Sequence, residues 1–361
     1  LLASSAASDV YKRQVYIDRL SRIPAIMEMP YNDIIRKFID MYAGRLRNQV
    51  SFMLSACNFY MPIFEEALDA YGLPLELRYL PIIESALNPS AVSRAGASGL
   101  WQFMIGTGKI YGLESNSLVD ERRDPIKATW AAARYLKEMY DIYGDWNLVI
   151  AAYNCGPGTI NKAIRRANGE TDYWKIYNYL PKETRGYVPA FIAANYVMTY
   201  YCDHNICPME TNIPASTDTV QVNKNLHFEQ IADLCNVPLD QIKSLNPQYK
   251  KQMIPGDSKP YTLRLPIDAI STFIDKQDTI YAHRADELFR NRKTVAIKEI
   301  TPSTRKTTTA VAGKGKLTYY TIKSGDTLST IAGKYGVTIK DIQRWNGTVS
   351  YTHLRAHETD S

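Results

Sequence analysis

The sequence predicts a mainly α-helical protein, one large helical domain followed by small α+β modules, and two features of the chain carry that prediction. Across residues 61–205 apolar side chains recur at intervals of three and four, with proline where segments start and glycine where they stop, the pattern of amphipathic helices. After Pro208 the texture changes to short β-type runs around a helical hairpin. With 361 residues, 45% of them apolar, the chain can bury one large core and smaller ones beside it, so two or three domains are expected.

Residues 1–14 have neither the basic start nor the apolar run of a secretory signal and read as a cloning or sequencing scar. Residues 349–361 break off a recognisable module and read the same way, so a signal peptide or an outer-membrane lipid anchor lost with the N-terminus stays open. Residues 15–60 form an N-terminal helical extension. Its segment 21–59 is mostly polar, with Ile34, Ile35, Phe38 and Tyr42 as an apolar stripe, and is expected to pack on the outside of the main domain in a structural role. The main helical domain covers residues 61–208. Pro62 is expected to open a segment through Ala67, Leu68 and Tyr71 that Gly72 stops; Pro74 opens the next, through Leu77, Leu80 and Ile83, and brings Glu84 near its end. Asp124 with Pro125 caps a long helix through Trp130, Ala133 and Tyr140 that Gly144 stops. Asp145 caps a short apolar helix leading to Tyr153, after which Gly156, Pro157 and Gly158 force a turn.

In residues 217–268 two β-type runs, 217–222 and 261–265, bracket a helix–loop–helix at 227–246, making a small separate module. Residues 301–316 are Thr, Lys, Ser and Gly with few apolar side chains, too few to bury a core, and read as a flexible linker. A second β-type start opens another module at 317–348.

The formal net charge of +6 is modest for this length, and no run of Lys and Arg with interleaved aromatics marks a nucleic-acid surface. Mildly basic character suits an anionic polymer, and 26 Tyr supply flat apolar faces with a polar tip that suit sugar rings as well as ordinary cores. No stretch of about 18 apolar residues is long enough to span a membrane. The five cysteines (Cys57, Cys155, Cys202, Cys207, Cys235) cannot all pair within one chain and show no repeated metal-ligand spacing. Cys202 and Cys207 flank His204, but without a second pair the expectation is buried thiols or one small disulfide rather than zinc. No metal and no organic cofactor is expected.

Glu84 sits where an apolar segment ends, among Leu80, Ile82, Ile83 and Leu87, and partial desolvation there raises a carboxyl pKa toward what a general acid needs. On these local features alone a solvated helix-end glutamate is the commoner reading, and the segment that follows changes the balance. Gly96, Ala97, Ser98 and Gly99 let backbone approach a ligand closely, and Trp101 with Gln102 behind them offers a stacking plane and an amide, a combination suited to a sugar. Tyr153 and Asn154 stand at a helix end before a tight turn, and Tyr187 stands at the start of an apolar helix. Each of these alone is weak, since Tyr ahead of Gly or Pro usually closes a core.

Taken in order, Glu84-Ser85 with Asn88-Pro89, Gly99-Leu100-Trp101-Gln102, Ala152-Tyr153-Asn154 with Gly156, and Tyr187-Val188-Pro189 resemble the motifs of family-1 lytic transglycosylases, over roughly residues 62–201. The resemblance implies a lysozyme-like helical catalytic domain of the goose type. It implies that Glu84 is the sole catalytic acid and base, protonating the oxygen between N-acetylmuramic acid and N-acetylglucosamine and then taking the proton of the muramoyl C6 hydroxyl, which closes a 1,6-anhydro ring without water. It also implies that Ser85, Gln102, Tyr153 and Asn154 position the sugar and its N-acetyl group, and that Tyr187 orients Glu84 by hydrogen bond. Most glycosidases need a second carboxylate. Asp120, Glu121 and Asp124 are candidates by sequence, but none lies in a matching motif; Asp124 reads as a helix cap and the other two as a solvated turn. Two departures are Cys155, where small apolar residues are more usual, and Ile105 after Met104, where the family often has Pro. No His lies in the matched motifs to activate Cys155 as a nucleophile.

The run Thr318 to Ala332, continuing through Tyr335-Gly336-Val337 and residues 342–346, resembles a lysin motif (LysM) whose closing strand is replaced by the tail. Residues 228–266 look like a divergent first copy without the Gly-Asp-Thr turn; the competing reading is a worn-down structural spacer. In the family such modules hold N-acetylglucosamine-containing glycans and keep an enzyme on its polymer. The whole therefore implies a monomeric bacterial cell-envelope enzyme, periplasmic and open to membrane anchoring, acting on peptidoglycan glycan strands and not on nucleic acid. The rival readings are a lysozyme-like hydrolase and a non-catalytic peptidoglycan-binding protein.

Overall fold

The computed structural model describes residues 2–289 apart from Asn212 and Ala215, with side chains from Val10 onward. The linker at 301–316, the module at 317–348 and the tail at 349–361 lie outside the described residues.

Three helices open the chain: α1 (Leu2–Ser21), α2 (Asp33–Ala43) and α3 (Arg47–Ala70). Helix α1 runs without a break through the segment read as a scar, and its last turns put Tyr16 and Leu20 into the core. Asn32 caps α2 by accepting from the Ile34 and Ile35 amides. The extension is not outside the main domain, as expected, but inside it: Ile35, Ile39 and Tyr42 join the same core as Phe64, Trp101 and Val188. An apolar stripe of that width stabilises the fold by more when buried between helices than when laid on a surface. Pro62 does not open a helix either. It stands inside α3, where the lost backbone bond is outweighed by the burial of Tyr60, Phe64, Ala67 and Leu68 on the turns around it.

A 3-10 turn (Leu75–Tyr79) leads into the short α4 (Leu80–Ser85), and α5 (Ile105–Ile110) follows the glycine-rich loop. A second 3-10 turn (Glu121–Arg123) precedes α6 (Pro125–Tyr143), which Asp124 caps by accepting from the Ile126 and Lys127 amides and Gly144 ends at φ 61°. α7 (Trp146–Cys155) starts on Asp145, and Gly156 at φ 82° swings the chain into α8 (Pro157–Arg166). After α9 (Tyr173–Ile176), α10 (Lys182–Thr199) passes through the middle of the domain, buried along nearly its whole length and packed on α2, α4 and α7.

The second part holds β1 (Thr217–Val222), β2 (Asn225–His227), α11 (Phe228–Cys235), α12 (Leu239–Leu245), β3 (Met253–Pro255) and β4 (Tyr261–Pro266). β1 and β4 pair antiparallel, Thr217 opposite Pro266 and Val222 opposite Tyr261, while β2 pairs with β3. The module then runs past residue 268 into α13 (Ile267–Asp275), α14 (Gln277–Ala282) and α15 (Ala285–Leu288), with Ala269, Phe273 and Ile280 in its core.

Candidate active site

α4 enters on buried Leu80, Pro81 and Ile82 and stops abruptly, because Ala86 and Leu87 both take left-handed φ values of 51° and 59°. That stop leaves Glu84 and Ser85 on an open cleft of about 430 Å³. It is lined also by Ile82, Ile83 and Ala86, by Ala91, Val92, Ser93 and Gln102, and by Tyr42, Leu46, Gln49 and Met53 of α2, α3 and their connection. Among the described residues lining it, Glu84 is the one carboxylate.

Glu84 is half-buried. Desolvation raises its pKa to about 7, against a lowering pull from Tyr187, whose hydroxyl donates to Glu84 Oε1. Tyr187 is buried on α10, and burial and then the nearby Glu84 charge push its phenol well above its ordinary value, so it remains a donor. Tyr153 on α7 is raised by the same two causes, and its hydroxyl donates to the Trp101 carbonyl at 2.7 Å.

The remaining expected site residues are arranged less simply. Ser85 and Gln102 line the cleft, but their donors are committed to the protein. Ser85 Oγ lies 3.0 Å from both the Pro81 and Leu100 carbonyls, and Gln102 Nε2 donates to Gly99 at 2.8 Å and Ala91 at 3.2 Å. Ser85 ties the loop to α4 and Gln102 ties the loop to itself, and what both present to a ligand is acceptor oxygen. Tyr153 and Asn154 do not line the cleft. Asn154 is exposed, and its Oδ1 accepts from Thr184 Oγ1 at 2.9 Å, clamping the end of α7 to the start of α10.

Three expectations are corrected here. Trp101 offers no stacking plane: it is fully buried, edge-on to Phe64, with its indole N–H donating to Thr129 at 2.9 Å. An indole of that size beside an apolar core is worth more inside than out. The close backbone approach at Gly99 is made to the protein itself, since a Cβ there would stand 1.7 Å from the Arg122 carbonyl oxygen. Asp120 and Glu121 are not a solvated turn but 1% and 5% exposed. Asp120 binds Arg122 at Nε (2.9 Å) and Nη2 (2.8 Å), and Glu121 binds Lys127. Burial by itself would raise the Asp120 pKa, but the Arg122 bonds and charge hold it below its ordinary value. Partnered in this way, two buried carboxylates can shape a loop without reaching the cleft.

Sequence reasoning missed Tyr42, Leu46, Gln49 and Met53 as cleft residues. The stripe containing Tyr42 signalled burial without saying against what, and nothing around Gln49 marked it.

The transglycosylase SLT domain family matches residues 61–176, the lytic transglycosylase MltD LysM-like domain matches 216–282, and the LysM domain matches 320–359. The chain is 32% identical over 326 residues to membrane-bound lytic murein transglycosylase D of Escherichia coli K12, spanning 89% of this chain and 67% of that protein. This chain belongs to that family of lytic murein transglycosylases. It is also 33% identical over 124 residues to the soluble lytic murein transglycosylase of E. coli K12, covering 33% of this chain and 19% of that one. The crystal structure of the 70-kDa soluble lytic transglycosylase from E. coli is 29% identical and covers 40% of this chain and 24% of that chain, at a TM-score of 0.35 too low to add to the assignment. Of the expected site residues and cleft residues described above, Glu84, Ser85, Gln102, Tyr153 and Asn154 fall inside the SLT match, while Tyr42, Gln49 and Tyr187 fall outside it. The LysM-like match runs past residue 268 to 282, as α13 and α14 do, and the LysM match takes in residues 349–359 of the tail.

Proposed function

We propose that this chain cleaves the β-1,4 bond between N-acetylmuramic acid and N-acetylglucosamine of peptidoglycan and leaves 1,6-anhydro-muramoyl ends, a lyase rather than a hydrolase. The observation that carries this reading is Glu84: a half-buried carboxyl with its pKa raised to about 7, steered by Tyr187, with no second carboxylate among the described residues that line its cleft. Most glycoside hydrolases use that second group, roughly 5–5.5 Å away as a nucleophile or roughly 6.5–9.5 Å away as a water activator.

The steps close on one proton. Protonated Glu84 gives its proton to the glycosidic oxygen as the bond to the muramoyl anomeric carbon breaks, and N-acetylglucosamine leaves with a free hydroxyl. The resulting carboxylate takes the proton of the muramoyl C6 hydroxyl while that oxygen bonds the anomeric carbon, so Glu84 ends protonated as it began. Tyr187 occupies Oε1, which leaves Oε2 to carry the transferred proton. Ser85 and Gln102 offer acceptors to an N-acetyl N–H, while Tyr153 holds the Trp101 carbonyl beside Gln102 and Asn154 ties α7 to the helix that carries Tyr187. The reading extends to a monomeric enzyme of the periplasmic envelope, open to membrane anchoring and kept on its polymer by the LysM-type modules; among the described residues no helix is long and apolar enough to cross a membrane.

Mass spectrometry of products from purified peptidoglycan tests this. Anhydro-muramoyl ends are expected from the unmodified chain and none from Glu84→Gln. Reducing ends alone would replace the lyase with a hydrolase, and undiminished cleavage by Glu84→Gln would remove Glu84 from the chemistry.

A further inference from the structure

Residues 113–124 join the cleft to the module at 216–282 through consecutive polar contacts. On the module side, Val119 bridges Tyr249, the Lys250 amide donates to the Leu118 carbonyl at 2.8 Å, and the Asp120 amide donates to the Gln248 carbonyl at 2.9 Å. Lys250 Nζ donates to the Asn116 carbonyl at 2.7 Å and lies 3.9 Å from the Asp120 carboxylate. Leu118 and Val119 are buried in the core of the module, not in that of the main domain. On the cleft side, Asp120 grips Arg122 at two nitrogens. Arg122 Nη1 in turn donates to the carbonyls of Gly96 at 2.8 Å and Phe103 at 3.0 Å, the two ends of the loop that brings Gln102 to the cleft.

We propose that the module at residues 216–282 is a brace for the cleft, with Lys250 acting through Asp120 and Arg122 as a positioning residue for the 96–103 loop. Water screens these links little, because the side chains of Asp120, Arg122 and Lys250 are 2%, 8% and 21% exposed. Removing the Lys250 ammonium leaves the Asn116 carbonyl short of a partner and loosens the segment that aims Arg122. A module that served only to grip glycan would work from a flexible tether and would need none of these bonds. The kinetic consequence rests on the transglycosylase reading; the structural one does not.

The test uses the full chain carrying Lys250→Met, which keeps the aliphatic stem, and Lys250→Arg, which restores a cation and a donor. Hydrogen exchange at the Ser98, Gly99 and Gln102 amides, all bonded within residues 91–103, reads the brace without reference to activity. Exchange about threefold to tenfold faster in Lys250→Met, recovered in Lys250→Arg, is expected. Unchanged exchange overturns the brace. On a short soluble peptidoglycan fragment, kcat/KM should fall about threefold to tenfold in Lys250→Met, mainly through KM, because the loop is a wall of the cleft and Glu84 with Tyr187 stays in place. A loss confined to insoluble cell wall would overturn the brace in favour of glycan grip. An unmodified chain inactive on both substrates would defeat the transglycosylase reading, and the exchange experiment then decides the brace alone.

Discussion

Glu84 and Tyr187 pull one proton in opposite directions: burial holds it on the carboxyl, while the phenol donates to the carboxylate that forms when it leaves. In the proposed mechanism the reaction starts from protonated Glu84, so kcat/KM should stay level on the acid side and fall about tenfold per pH unit above about 7. Tyr187→Phe removes support from the carboxylate, so that descending limb should move to higher pH, with the plateau about tenfold lower from lost orientation. A limb that moved to lower pH would contradict the assignment. The same proton acts on stability. The folded chain keeps it to about pH 7, whereas an unfolded chain releases it near the ordinary value of 4.5. Between those values the folded state binds more protons, so stability falls as pH rises through the window and stays lowered above it. Glu84→Gln should therefore stabilise the fold by about 2–3 kcal/mol above pH 7 and leave it unchanged near pH 4, as thermal melts at the two pH values would show. The raised carboxyl was legible from Leu80, Ile82, Ile83 and Leu87 around it; that its acceptor is filled by a phenol 103 residues away follows from the motif resemblance, not from any local pattern.

Elements differ in how local their causes are. The caps at Asp124 and Asp145 act within three residues, and both helices begin where the sequence predicts. Pro62 fails as a start signal because the core around α3 outweighs one missing backbone bond. The glycine-rich loop shows the same division. Its small residues were readable, but the surface that requires them is the Arg122 backbone. Gly99→Ala must meet that carbonyl as well as a φ of 87°, and a loss of about 2–4 kcal/mol by denaturant midpoint is expected. Gly96→Ala, with φ 88° but open space, should lose only about 1 kcal/mol. Equal losses at the two positions would show that backbone conformation, not the close approach, governs the loop.

At the scale of the whole molecule, the main domain and the LysM-like module share a segment, because Leu118 and Val119 leave one core to complete the other. Val119→Ala should cost about 1–3 kcal/mol, and the loss of amide protection should reach both the β1 and β4 pair and the 96–103 loop. Protection lost on one side only would mean that the two parts open independently.

By itself the sequence determined the capped starts at Asp124 and Asp145 and the stop at Gly144, that a lone carboxyl ends an apolar segment, and which family motifs follow it in order, because capping and motif spacing are properties of neighbours along the chain. Only the tertiary structure decided that Trp101 is buried, that Asp120 belongs to a brace, and that Tyr42, Gln49 and Met53 wall the cleft. Those outcomes depend on which distant surfaces meet and exclude water, and no run of adjacent residues encodes that meeting.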